Sequence, residues 1–175
     1  MQPTLSFEQA PPISVPYRFF LTAPLFGIVA GLLLVWLGPA ALESRWAPGA
    51  LAMTHLIVVD FMLQVMCGSL LQFVAVVAGA NIWRPRLVAT LVHPLITAGA
   101  VFLATAFLLE QQVLFLLAAL SFTLALGLFL TVMAISLLRT PARGMPLLVL
   151  RLAVFGLLAT VVLGVILAST LGMHE

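Results

Sequence analysis

Apolar residues fill this chain in five long runs, near residues 18–38, 50–80, 87–109, 112–138 and 146–172. Between them lie Gly38-Pro39, Pro48-Gly49, Arg84-Pro85-Arg86, Glu110-Gln111-Gln112 and Thr140-Pro141, which make poor helix interiors and good turns. A hydrocarbon core of about 30 Å is crossed by about 20 helical residues at ~1.5 Å each, so every run is long enough to span a bilayer. Connections this short make sequence neighbours adjacent and antiparallel. The pattern predicts an all-α fold, a single transmembrane domain over residues 1–175 built as a bundle of five antiparallel helices.

Composition points the same way. The chain is 64% hydrophobic and 7% charged, with mean hydropathy +1.29. A soluble domain covers itself with several times that charge, so lipid takes the place of a charged surface here. Lysine is absent, and seven arginines against five acids leave a net charge of +2, too little for a nucleic-acid partner. Residues 1–16 carry Pro3, Pro11, Pro12 and Pro16 without a basic or apolar leader segment, and read as a short inside tail. The lone Cys67 excludes an internal disulfide, and without CxxC or CxxCH neither structural zinc nor covalent haem is expected. Gly-rich phosphate loops, nucleophile elbows and HExxH are absent too, which leaves little room for a soluble enzyme.

If the five spans alternate, Arg18, Arg84, Arg86, Arg139, Arg143 and Arg151 share one side and Arg45 alone takes the other. The positive-inside bias then sets the amino terminus inside, in a bacterial-type inner membrane, and Trp36, Trp46 and Trp83 fall at the interfaces. Small residues recur at four-residue steps as Gly27 and Gly31, and as Gly156, Thr160, Gly164, Ala168 and Gly172. Such ridges let helices approach closely, within the bundle or at a dimer seam.

Polar groups inside the spans are the informative ones, because each costs a few kcal/mol to insert. Asp60, Gln64, Gly68 and Gln72 fall on one face of the second helix at ~100° per residue, with Cys67 beside them. An aspartate at that depth is expected to be protonated or clamped to a neighbouring polar group, which makes Asp60, Gln64 and Gln72 candidates for a proton relay or an interhelical clamp. His55 points elsewhere, in a stripe with Met62, Met66, Ser69 and Phe73 whose soft and aromatic groups could wrap a flat apolar cofactor. His93 opens a small-residue stripe of Thr97, Ala100 and Ala104, with room for a macrocycle or another helix. It lies about 9 Å from the inner surface at ~1.5 Å per residue, too far from His55 for the two to share an axial iron. His174, or His55 of a second copy, reaches the depth of His55.

The segment Thr54-His55-Leu56 to Phe61, followed by Gly68-Ser69-Leu70-Leu71-Gln72, Val76-Val77-Ala78-Gly79-Ala80, Arg84-Pro85-Arg86 and His93-Pro94, resembles the second and third helices of haem-copper-oxidase subunit-I-like proteins and is similar to the NnrS-type haem proteins. The likeness reaches only the front half of such a subunit. It implies that His55 is an axial ligand of haem b; Met62, Met66 and Ser69 of the same stripe remain the candidate groups around a cofactor, and His174 and His93 the further candidate metal ligands. Asp60 stands where those families have a glycine, and Ala75 where they have a proline. With three histidines and no HH, HxH or HxxxY, a complete haem-copper site is not expected, nor catalysis by this chain alone. The expected role is a haem b protein for electron transfer, haem handling or gas sensing, as a homodimer or a subunit of a larger complex. The alternative is a cofactor-free accessory or assembly subunit of a respiratory complex. A small transporter using Asp60, Gln64 and Gln72 as a polar path is a third reading, with no broken-helix pair to support it.

Overall fold

A computed structural model describes residues 6–141 and 143–172; the side-chain surroundings of residue 165 and of residues 167–172 are not described. The described chain is 85% helix without strands. Its five long helices are α1 (Ser14–Leu37), α2 (Pro48–Val76), α3 (Pro85–Leu109), α4 (Gln112–Arg139) and α5 (Met145–Gly172). All five are long and apolar enough to cross a membrane, so the protein is a multi-pass membrane protein. A helix satisfies every backbone N–H and C=O within the segment itself, as the absence of water in the hydrocarbon core requires.

The helix ends follow local chemistry. Proline opens α2 and α3 at Pro48 and Pro85, where its missing N–H costs nothing. The expected second span ran to residue 80, but α2 stops at Val76. Gly79 turns the chain at φ 56°, and the Val76 carbonyl accepts the Ser6 N–H at 2.9 Å. Glu110 closes α3 in the left-handed region at φ 51°, a place glycine usually takes, and its N–H is donated to the Ala106 carbonyl.

The helices alternate, and the arginines other than Arg45 gather at one end of the bundle. That end is tied together by the Ser6–Val76 bond, by Thr140 Oγ1 donating to the Ala78 carbonyl at 2.8 Å, and by Arg151 Nη2 donating to the Leu137 carbonyl at 3.0 Å. Trp46 at one end and Trp83 at the other are exposed, each with an arginine over its ring, Arg45 at 5.2 Å and Arg84 at 5.5 Å.

Two apolar clusters hold the bundle. The larger occupies the arginine-rich half and joins Val15 and Phe19 of α1, Cys67 and Leu71 of α2, Val92 and Ile96 of α3, Phe129 and Met133 of α4 and Val154 of α5. The smaller occupies the opposite half, where Phe26 and Ala30 meet Ala52, Met53, Leu56, Ala100 and Ala104. The small-residue stripe beyond His93 is therefore filled by neighbouring helices. Between the clusters, α2 changes character: Leu56–Met62 is π-helical, with one residue more per turn than the α-helix on either side.

Of the expected small-residue ridges, only Gly27 faces another helix among the described residues, where a Cβ would be in ordinary contact with Phe61 of α2. Gly156 and Gly164 have nothing near them, Thr160 is exposed, and Gly31 faces outward; Ala168 and Gly172 lie where side-chain surroundings are not described. Close approach happens at Gly68 instead, where α1 presses against α2, and at Gly99, where Phe122 of α4 lies over α3. Cys67 beside it is fully buried. Maleimide is therefore expected to leave the native protein unlabelled in mild detergent and to label it after denaturation; labelling at equal rates in both states would contradict this packing.

Candidate functional site

The polar face read from α2 does turn inward. Asp60 is 1% exposed and Gln64 0%, Gly68 is buried, and Gln72 is half-buried nearer the arginine-rich end. Gln64 Nε2 donates to Thr97 Oγ1 of α3 at 3.1 Å, joining the two helices mid-span. The remaining acceptors, Asp60 Oδ1 and Gln64 Oε1, have no hydrogen-bond partner among the described residues.

His93 lies toward the arginine-rich end, about one turn from Thr97 on α3. Its Nε2 is 2.8 Å from Thr22 Oγ1 of α1. The Thr22 hydroxyl proton is committed to the Arg18 carbonyl at 2.8 Å, so the imidazole is the donor in this pair. Phe19 meets the His93 ring edge-on, with centroids 5.3 Å apart. Farther along, Arg18 Nη1 donates to Thr90 Oγ1 at 2.9 Å in an exposed position. Arg18, Thr22 and Thr90 were not foreseen as site residues. The available signal was spacing: Thr90 and Thr97 flank His93 on its own helical face, and Thr22 follows Arg18 by four.

His55 is set apart from this ladder, at the other end of the bundle. It is half-buried and donates Nδ1–H to the Leu51 carbonyl at 2.7 Å. Its ring lies on Phe107 of α3, centroids 4.7 Å apart, and Phe107 in turn meets Phe115 of α4 edge-on at 5.0 Å. Because a carbonyl can only accept, this bond fixes the tautomer and leaves the Nε2 lone pair available. No described residue hydrogen-bonds to Nε2.

The stripe expected to surround His55 is rearranged. The extra residue of the π turn rotates all that follows by about 100° relative to a straight α-helix. Met62 and Phe73 are 56% and 53% exposed on the outside of the bundle, and Met66 and Ser69 are half-buried along the same flank. His55 and those four residues therefore do not form one inward-facing wall. His174 lies outside the described residues. Among the described residues, no three His, Cys, Asp or Glu side chains converge as metal ligands.

The Gln64–Thr97 bond makes a quantitative expectation. Thr97→Ser keeps the hydroxyl that accepts the amide and should cost about 1 kcal/mol or less, whereas Thr97→Val strands the buried amide and should cost about 1–3 kcal/mol. Equilibrium unfolding in mixed micelles checks the order, and the reverse order would show that this bond does not hold the helices.

No protein-family model matches the chain, and no curated protein and no solved structure matches it.

Proposed function

We propose that the protein is a membrane haem b protein of the bacterial inner membrane, serving electron transfer, haem handling or gas sensing, with His55 as one axial ligand. The observation that carries this reading is the anchored imidazole. Nδ1–H is held by the Leu51 carbonyl at 2.7 Å, and Nε2 is left as an oriented lone pair against an aromatic wall. A backbone carbonyl on the second ring nitrogen is the usual means of fixing a metal-binding histidine, since it sets both tautomer and ring direction. The likeness of residues 54–94 to the front half of oxidase-like subunits supports the same assignment.

The donor set fits one axial position from this chain. His93 is engaged by Thr22 and lies toward the opposite end of the bundle, so the second ligand would be His174 or His55 of a second copy. A bound haem would supply a one-electron iron centre, while this chain's contribution is the ligand, its orientation and an apolar shell. Met62 and Phe73, exposed on the flank of α2, place any cofactor contact from them at the bundle surface, where a second subunit could complete the shell. The test is the absorption spectrum of the solubilised protein and of His55→Ala.

A second reading has its own observation. The Gln64–Thr97 and His93–Thr22 bonds both join different helices, as fasteners would in a cofactor-free accessory subunit of a larger membrane complex. It predicts a colourless protein that migrates with a partner on native electrophoresis, and a His55→Ala variant altered in nothing but association.

A further inference from the structure

Asp60 and Gln64 lie one helical turn apart near the middle of the 29-residue α2, and each presents a buried acceptor without a donor. An orphan of this kind is costly, because burial has removed the water that would otherwise donate to it. An ionised carboxylate is acceptor-only, so it would set acceptor beside acceptor and also place a net charge at mid-bilayer, where nothing solvates it. No cationic side chain is bonded to it among the described residues. Of the neighbouring elements, α1 offers Tyr17 and Arg18, and α3 offers His93 within its span and Arg86 near its start. On α2 itself the other titratable groups are His55 and Cys67. One added proton removes the charge and creates the missing donor, so a single proton resolves both orphans.

We propose that Asp60 is a proton-binding site in the membrane interior, its carboxylic O–H donated to Gln64 Oε1, with access from the arginine-rich end alone. The step is Asp60–CO2⁻ + H⁺ → Asp60–CO2H; no other bond changes and nothing is oxidised or reduced. The access route is the polar line already described. Its outer stretch runs from exposed Thr90 and half-buried Arg18 through Thr22 to His93, its inner stretch is Thr97 with Gln64, and His93 and Thr97 stand one helical turn apart on α3 between the two. An imidazole in that line can take a proton on one nitrogen and release one from the other. Toward the opposite end, the turn of α2 before Asp60 enters the apolar cluster of Phe26, Ala52, Met53, Leu56, Ala100 and Ala104, whose members offer no such line. A site reached from one side registers the acidity of that side rather than conducting across the membrane. This assignment does not depend on haem.

Asp60 is the single aspartate in the sequence, so carboxyl-¹³C aspartate labels it alone and no mutation is needed for assignment. Isotope-edited infrared spectra of the full chain in lipid vesicles should show a protonated-carboxyl C=O band that moves down in D2O. The band should lose intensity as bulk pH is raised. Gln64→Leu, which removes the acceptor, should move it up. His93→Phe, which interrupts the line, should slow its response to a pH jump at least tenfold while leaving its position unchanged. An Asp60 signal that is carboxylate at every pH would overturn the assignment, as would a protonated band that bulk pH never alters. An unchanged rate in His93→Phe would overturn the access route.

Discussion

Protein expressed with haem supplementation and purified in mild detergent is expected to be red, with a Soret band that His55→Ala abolishes. The expectation rests on one nitrogen. With Nδ1–H donated to the Leu51 carbonyl one turn earlier, the imidazole cannot offer the other tautomer without breaking a 2.7 Å bond, and Nε2 is held in a fixed direction. Alanine deletes the ligand, while Phe107 and Phe115 can still pack on each other. The informative control is His93→Ala. It removes the bond to Thr22 and should cost about 1 kcal/mol of stability, yet leave the spectrum in place, because His93 lies toward the other end of the bundle. A colourless wild-type preparation after supplementation would sink the haem reading, as would an unchanged Soret band in His55→Ala. Either result would favour the accessory-subunit reading.

The largest loss of stability should come from Gly68→Leu. A Cβ built there lies 2.9 Å from Phe20 Cε1, 3.1 Å from Phe19 Cβ and 3.2 Å from the Pro16 carbonyl oxygen. The Phe20 ring can swing aside. The other two atoms are fixed to α1, so the helices must separate. Inside a bilayer, helix association relies on close van der Waals contact, because lipid already solvates the apolar side chains. Overpacking typically costs about 1–3 kcal/mol and occasionally more, and a site closed on two sides by atoms that cannot move belongs at the upper end. Gly156→Leu is the matched control, since nothing lies within 4 Å of that position, and it should change stability by less than about 0.5 kcal/mol. Comparable losses in the two variants would mean that α1 and α2 are not packed as described.

What could be read from residue order alone depended on how strongly each feature is written in polarity. The five spans were legible because water cannot replace lipid around runs this apolar, and the turns carry Gly, Pro or charge. The burial of Asp60 and Gln64 was legible for the same reason, since polar groups in a span turn toward protein. Helix phase is another matter. Leu56–Met62 is apolar on every side except at Asp60, so no periodicity reveals that one turn holds an extra residue. The grouping of His55 with Met62, Met66, Ser69 and Phe73 failed at that turn. The end of α2 was misplaced because Val77, Ala78 and Ala80 are apolar, while the stop is set by the backbone of Gly79 and by Ser6, distant in sequence. Glycine spacing alone does not locate the internal contacts: Gly156, Thr160 and Gly164 of the α5 series face outward, whereas isolated Gly68 and Gly99 carry the close approaches. Which small residue matters is decided by what stands opposite it, and that belongs to the partner helix.

The π turn of α2 also divides the molecule's tolerance to change. The part of α2 before it is keyed to the cluster around Phe26 and Ala104, and the part after it to the cluster around Phe19 and Phe129. Deleting one residue between Ile57 and Phe61 would act less like a shortening than like turning a key: everything from Leu63 onward would rotate by about 100°, carrying Gln64, Cys67 and Gly68 out of their seats. The surplus residue is thus a phase setting, and it lets two halves of one helix answer to two different sets of neighbours.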